Sequence, residues 1–167
     1  MKLSPYFSSL PHFVKQLELS GAKGVALFNR FYQPDIDLET RTLTHGLHLS
    51  SADEALLRIR WLAILRGRVE LTLAATGGVH GHEEAMKMLL AGADVVHLCS
   101  CLLQHGPDYL TDILAGMLAW METHEYASVA QLKGSMSQKN LPDPAAMERS
   151  GYVQVIKAFE APRGVWT

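Results

Sequence analysis

Glu70-Leu71-Thr72-Leu73-Ala74-Ala75-Thr76-Gly77-Gly78-Val79 is the stretch that decides the fold. Its first six residues are a short, mostly apolar run of strand length. Two glycines end the run, and a helix is expected to begin near His82-Glu83-Glu84 and to stop at Gly92. Strand, glycine turn and helix together make one βα unit.

The pattern repeats on both sides. Downstream, Asp94–Leu98 reads as a further strand, followed by a short helix over Cys101–Gln104 and a break at Gly106-Pro107-Asp108. Leu110, Ile113, Leu114, Met117, Leu118 and Met121 then predict an amphipathic helix with that stripe facing inward. Upstream, Ser51 and Glu54 form an S-x-x-E capping box for a helix running to about Leu65. Its expected inward residues are Leu56, Leu57, Ile59, Trp61, Ala63 and Ile64. Before it, Gly46–Leu49 is a short extended piece, and Asn29–Thr44 is a polar, irregular connection. A connection of that length tends to carry function. Val25–Phe28 is a buried strand. Ser8 or Ser9 opens a helix with Leu10, Phe13, Val14 and Leu17 on one face and Gly21 at its end. Lys2-Leu3-Ser4 is a strand stub stopped by Pro5.

A weak internal repeat ties these units together. Ser20-Gly21-Ala22-Lys23-Gly24-Val25 and Ala91-Gly92-Ala93-Asp94-Val95 use the same device, with Gly21 and Gly92 71 residues apart, about two units of 35. Four strands alternating with four main helices imply βαβ units, a parallel sheet and an α/β class. The remainder holds a small helix near Ser128–Leu132, a break at Asn140-Leu141-Pro142 and a helix with Asp143 as N-cap and Pro144 at its first position. The expected division is 1–135 for the strand–helix units and 136–167 for a C-terminal tail with a short helix.

The composition narrows the function. Of the 167 residues 48% are hydrophobic and 19% charged, enough apolar surface to build a core. The net charge is −2 and the basic residues do not cluster, which argues against nucleic acid as a partner. No run of apolar residues is long enough for a membrane helix, and the start, Met1-Lys2-Leu3-Ser4-Pro5-Tyr6-Phe7, does not read as a signal peptide. The two cysteines, Cys99 and Cys101, lie too close for an ordinary structural disulfide, so a reducing cytoplasm is the expected compartment.

Residues that can carry chemistry gather at the ends of strands. Successive glycines such as Gly77 and Gly78 let a backbone approach a ligand, and the following helix N-terminus can receive a phosphate. The plainer account is a tight turn that needs glycine. Cys99-Ser100, after the next strand, also leads into a short helix. In a (β/α)8 barrel a phosphate commonly lies between the loops after the last two strands, beside a short extra helix, and the order of elements here matches that arrangement. His80, His82, His97, Cys99 and Cys101 invite a metal reading, but nothing fixes three or four of them in a converging set. Loop histidines and buried thiols account for them more simply. Lys2 either points from a strand toward a site or is a solvated terminal lysine. Asn29, at the end of the second strand, is either a ligand contact or a polar loop starter.

In order and spacing, four segments resemble the C-terminal half of the dihydroorotate dehydrogenase family: Lys2-Leu3-Ser4-Pro5-Tyr6-Phe7, Leu27-Phe28-Asn29-Arg30, Ala75-Thr76-Gly77-Gly78-Val79, and Leu90–Val96 with Cys99-Ser100 and His105-Gly106-Pro107. The resemblance implies the C-terminal half of a TIM (β/α)8 barrel with about four parallel strands, and FMN as cofactor. A complete barrel takes about 250 residues, so 167 residues are expected to hold half of one.

By the same resemblance Lys2 contacts the flavin ring, where a cation stabilises the reduced, anionic form. Phe28 supplies a backbone contact, and Asn29 bonds an orotate-like substrate. Gly46 lies near the FMN phosphate, and Thr76, Gly77 and Gly78 form one phosphate loop. Cys99 and Ser100 form the second, where the family usually has Gly-Thr. Arg30 stands where the family usually has serine, beside the substrate, and either pairs with a substrate carboxylate or fills the pocket. The family's catalytic base, a cysteine or serine in the first half, has no counterpart here, and Cys99 and Cys101 map to the phosphate side. The implied activity is FMN-dependent oxidation of dihydroorotate to orotate in pyrimidine biosynthesis, lost without the N-terminal half. The alternative is a non-catalytic half-barrel subunit that self-associates or docks with a separate N-terminal half.

Overall fold

A computed structural model describes residues 1–31, 33–148 and 156–158. Its main sheet has four parallel strands in the order β1 (Lys2–Leu3), β2 (Gly24–Leu27), β5 (Thr72–Thr76), β6 (Val95–His97). Three helices pack on one face: α1 (Leu10–Leu19), α2 (Ala55–Leu65) and α3 (His82–Ala91). Beyond β6 come α4 (Ser100–His105), α5 (Tyr109–Thr123), α6 (Val129–Leu132) and α7 (Ala145–Glu148). Spatial order follows chain order, with a helix between successive strands of the sheet. This is half of a TIM-type (β/α)8 barrel, as the sequence predicts.

Register explains which residues are buried. Leu3, Leu27, Ala75 and Val96 lie side by side across the sheet. They point to the helices and join a core with Leu10, Val14, Leu62, Leu65 and Met88. The neighbouring row, Lys2, Ala26, Ala74 and Val95, points the other way. On that opposite face Lys2, Thr72, Val95 and His97 are exposed. A parallel sheet is ordinarily covered on both faces; among the described residues this one is covered on one.

Five expectations need correction. The connection after Asn29 is not irregular throughout: β3 (Asp35–Asp37) and β4 (Thr42–Thr44) form an antiparallel hairpin. Its turn is closed by Asp37, whose Oδ1 accepts from the backbone N–H groups of Glu39 and Thr40. The Gly46–Leu49 piece belongs to no strand. The inward face of α2 is Ala55, Arg58, Leu62, Ala63, Ile64 and Leu65, while Leu56 and Leu57 are exposed. Apolar residues occur all around this helix, so periodicity alone cannot orient it; the buried hydrogen bonds of Arg58 do.

The capping box is absent as well. Ser51 makes no side-chain cap bond, and a 3₁₀ turn over Ala52–Glu54 precedes α2. Helix α5 buries only Ile113 of its expected stripe, leaving Leu110, Leu114 and Leu118 exposed. It packs on α3, because β6 is three residues long and offers little sheet to cover. Within the expected tail, Gln138 is buried, accepts from Arg68 Nη2 at 2.7 Å and donates to Pro144 O. A helix follows Asp143-Pro144, beginning at Ala145, whose N–H donates to Asp143 Oδ1. The rest of that tail, residues 149–155 and 159–167, lies outside the described residues.

Asp94 joins the C-terminal end of α2 to β5 and to the segment after α6. Its carboxylate accepts from Arg66 Nη2 and Lys133 Nζ, each at 2.8 Å, and from the Leu73 N–H at 2.9 Å. Burial pushes this carboxyl up, but the donors from Lys133, Arg66 and Leu73 together outweigh it and hold it below the usual aspartate range. A depressed folded-state value means the stabilisation is complete above the ordinary aspartate range. It is lost as pH falls through the folded value. Denaturant titrations across pH should show this acid limb, and Asp94→Asn should flatten it.

The turn after β5 yields a second prediction. Gly78 has φ +78°, and a Cβ there would stand 2.4 Å from the backbone nitrogen of Ala55. Gly21 has φ +91° and nothing within 4 Å of that position. Gly21→Ala should therefore cost only the left-handed backbone penalty, about 1–2 kcal/mol. Gly78→Ala should cost more, about 3 kcal/mol or above, because α2 must also move. Chemical denaturation of the two variants checks the difference.

Candidate functional site

The C-terminal ends of the four parallel strands frame a cavity of about 250 Å³ on the uncovered face of the sheet. Its floor is the turn Thr76-Gly77-Gly78-Val79. Gly77 and Gly78 both have positive φ, +90° and +78°. Cβ atoms there would meet Arg58 Nη2 at 2.9 Å and the first turn of α2. These glycines thus satisfy the packing requirement of a tight turn, and they also bring backbone to the cavity floor. Among the described residues the N–H groups of Gly78 and Val79 have no backbone acceptor.

Arg58 lies behind this turn with its side chain only 7% exposed. Its Nε donates to Thr76 O at 3.1 Å and its Nη1 to Glu54 O at 2.7 Å. Burial lowers the guanidinium from its usual value, Glu54 raises it and Arg30 lowers it; an arginine remains a cation through such a shift. The Glu54 carboxylate is shared by Arg58 Nη2 and Arg30 Nη2, each at 3.4 Å. Lys2 lines the same cavity. Three cations against one carboxylate leave the wall positive, suited to an anion.

The N-terminus of α3 is not free to receive that anion. Its own Glu84 reaches back, and Oε2 accepts from Gly81 N at 2.9 Å and from His80 N at 3.4 Å. A second anion beside this carboxylate would be repelled. The hydroxyl groups that line the cavity lie on its other side.

On that side lies a cluster the sequence did not suggest. Ser50, 6% exposed, donates its hydroxyl to Ser100 Oγ at 2.8 Å and its backbone N–H to the same oxygen at 3.1 Å. His80 Nε2 lies 3.3 Å from Ser50 Oγ. The Tyr109 hydroxyl donates to His80 O, tying α5 to the cluster. Ser50 escaped notice because its neighbour Ser51 fits a capping pattern, and Arg58 because an arginine between Leu57 and Ile59 on a helix reads as solvated.

Of the residues expected to bind ligands, Lys2, Phe28, Arg30, Thr76, Gly77, Gly78, Cys99 and Ser100 all line the one cavity. Asn29 and Gly46 do not. Asn29 lines a shallower cleft with Tyr6, Glu54 and Arg58, its N–H donating to Leu3 O at 2.6 Å. Gly46 lies with Gln33, Asp35 and His48 beside the hairpin. Arg30 borders all three spaces. His97 and Cys99 share the cavity face, as strand alternation predicts, whereas Cys101 is buried. Among the described residues no three His, Cys, Asp or Glu side chains come close enough to hold a metal ion. No helix there is long and apolar enough to cross a membrane.

Fold and cavity define a class first: half of a (β/α)8 barrel with a cationic pocket at the C-terminal ends of its strands. No protein-family model matches the chain. Curated relatives do. The catalytic subunit of dihydroorotate dehydrogenase B (NAD(+)) from Phocaeicola vulgatus is 26% identical over 141 residues, which are 81% of this chain and 46% of that protein. The dihydroorotate dehydrogenase (quinone) of Rhizobium johnstonii is 35% identical over 74 residues, 43% of this chain and 20% of that one. Among solved structures, DHODH from Eimeria tenella in complex with ferulenol superposes with a TM-score of 0.64 at 19% identity. That match covers 80% of this chain and 36% of the other. The ligand-free form of that enzyme gives the same score, over 38% of its length.

The chain is therefore a relative of the dihydroorotate dehydrogenases, and its partial match fits the family's C-terminal half. It spans under half the length of the curated relatives it matches.

Arg58 supplies the test of this geometry. Its removal takes a charged donor from Thr76 O and from Glu54 O, about 1.5–3 kcal/mol each, and leaves Thr76 O only the longer bond from the Phe28 N–H at 3.4 Å. Arg58→Met should therefore lower stability by at least about 2 kcal/mol. Arg58→Lys should recover little of it, because an ammonium cannot span both carbonyls in one plane. Thermal and denaturant unfolding of both variants checks the prediction.

Proposed function

We propose that this chain is the phosphate-binding half of an FMN-dependent barrel that oxidises dihydroorotate, or a closely related dihydropyrimidine, to its orotate-like product. The observation that carries the reading is the convergence of Lys2, Phe28, Thr76, Gly78 and Ser100 on one positive cavity at the strand ends. Its polar lining suits a phosphate monoester: hydroxyl donors, backbone N–H groups and nearby cations. The volume, about 250 Å³, is below the ~300–1,000 Å³ typical of sites that enclose a small ligand. This half would hold one side of the cofactor, and the remaining strands would close the other.

The chain's own residues have distinct tasks in this reading. Gly78 and Val79 offer N–H groups at the phosphate end. Lys2, at the other end of the lining, places a cation where the flavin ring would gain negative charge. Phe28 is 1% exposed and forms part of the wall. Arg30, whose contact to Glu54 is long and half-exposed, is available to pair with a substrate carboxylate. When bound, FMN supplies the hydride acceptor for the oxidation. Proton removal from the substrate falls to the family's first half, so the 167 residues alone would bind flavin weakly and not turn over.

The uncovered sheet face also favours the second reading, a half-barrel that acts as a structural subunit. The outer edges of β1 and β6 have no strand partner among the described residues. An apolar groove bounded by Leu89, Val96, Leu110, Ile113 and Met117 runs beside β6. Such edges and faces invite a further half-barrel, from a second copy or a separate N-terminal half.

Purified chain mixed with FMN and dihydroorotate separates these readings. The expected result is measurable but weak flavin binding, no orotate formation, and an oligomer by light scattering after size exclusion. Robust oxidation by the chain alone would contradict the half-site account. A monomer with no flavin affinity would contradict both readings.

A further inference from the structure

We propose that His80, Ser50 and Ser100 form a hydroxyl relay that anchors the phosphate of the ligand, with the Ser100 O–H as its terminal donor. The inference rests on the flavin-phosphate reading and specifies which side chains carry it.

Ser100 Oγ accepts two hydrogen bonds, from the Ser50 hydroxyl and from the Ser50 N–H. A hydroxyl has one proton to donate, and among the described residues that of Ser100 has no hydrogen-bond acceptor. Ser50 spends its own proton on Ser100, so its remaining capacity is to accept from His80 Nε2 at 3.3 Å, with the imidazole in its Nε2–H form. The chain His80 N–H to Ser50 O–H to Ser100 O–H is then oriented in one direction. Successive bonds in such a chain polarise one another, which strengthens the last donor.

That donor and Ser50 line the same cavity as the Gly78 turn. The relay is also built rather than incidental. Ser50 is 94% removed from solvent, since only 6% of it is exposed, and His80 is held by Tyr109 at its carbonyl and by Glu84 at its N–H. At the competing site, the N-terminus of α3, the Glu84 carboxylate already holds the Gly81 and His80 N–H groups and repels a second anion. A phosphate dianion drawn in by the Lys2 and Arg30 cations of the same lining therefore finds at Ser100 an unfilled hydroxyl donor, with Arg58 adding positive field from behind the turn. Ser50 and His80 act as positioning residues, through Ser100.

Titration with three probes tests the proposal: FMN, riboflavin and inorganic phosphate, against the full chain. Ser100→Ala, Ser50→Ala and His80→Phe should each weaken FMN and inorganic phosphate about tenfold or more. Riboflavin, which lacks the phosphate, should bind each variant as it binds the parent. His80→Gln keeps an N–H at a similar reach and should recover much of the loss. Circular dichroism and melting of each variant separate this selectivity loss from misfolding, because misfolding would remove riboflavin binding too.

If FMN binds the parent and all variants equally, the relay is wrong and the flavin reading stands. If FMN does not bind, yet phosphate binds and the variants lose it, the relay stands and the flavin reading fails. If neither binds the parent, both are overturned.

Discussion

The contact between the turn after β5 and the first turn of α2 sets the shape of this molecule's cavity. Gly78 lies so near the Ala55 nitrogen that no side chain fits between them, and the Arg58 guanidinium closes the remaining gap against Thr76 O. One buried cation thus holds a helix, a strand end and a glycine turn in register. It also places positive charge directly behind the cavity floor. Packing and electrostatics are here the same interaction. The sharing of Glu54 by Arg58 and Arg30 leaves the local charge positive, so the arrangement is more stable with an anion nearby.

A second constraint follows from the sheet. Its strands run in the order they occur in the chain and present an apolar row to the helices. Their other row carries small residues, Ala26 and Ala74, flanked by Lys2 and Val95. In a closed barrel the interior is filled by layers of side chains from all the strands. Four strands supply only part of those layers, which is why the face that bears the cavity remains open. The chain's match to under half of each curated relative agrees with this geometry.

Much of the fold was legible because the strands are bounded apolar runs. Val25–Phe28, Glu70–Ala75 and Asp94–Leu98 each end at glycines or polar residues, and all three are strands within a residue or two of those limits. The glycine pair was legible for its conformation. Less was visible where two patterns compete. Asp35-Ile36-Asp37 and Thr42-Leu43-Thr44 alternate like strands, but each is three residues long and lies among polar neighbours. In α2 every face is apolar, so the buried arginine was indistinguishable from a surface one. The Ser50–His80–Ser100 cluster joins residues 30 and 50 positions apart, and no local spacing announces such a contact. Glu84 was legible as an acid near a helix start, but not as the group that takes the Gly81 and His80 N–H groups there.

The central claim is that the phosphate end of a flavin nucleotide lies between the Gly78 turn and Ser100. Amide NMR of the isotopically labelled chain, titrated with FMN and separately with inorganic phosphate, tests it most directly. The account predicts that the Ser50, Gly78, Val79 and Ser100 amides move most with both ligands. Largest shifts at Gly81 and His82, on the capped end of α3, or no localised shifts at all, would contradict it.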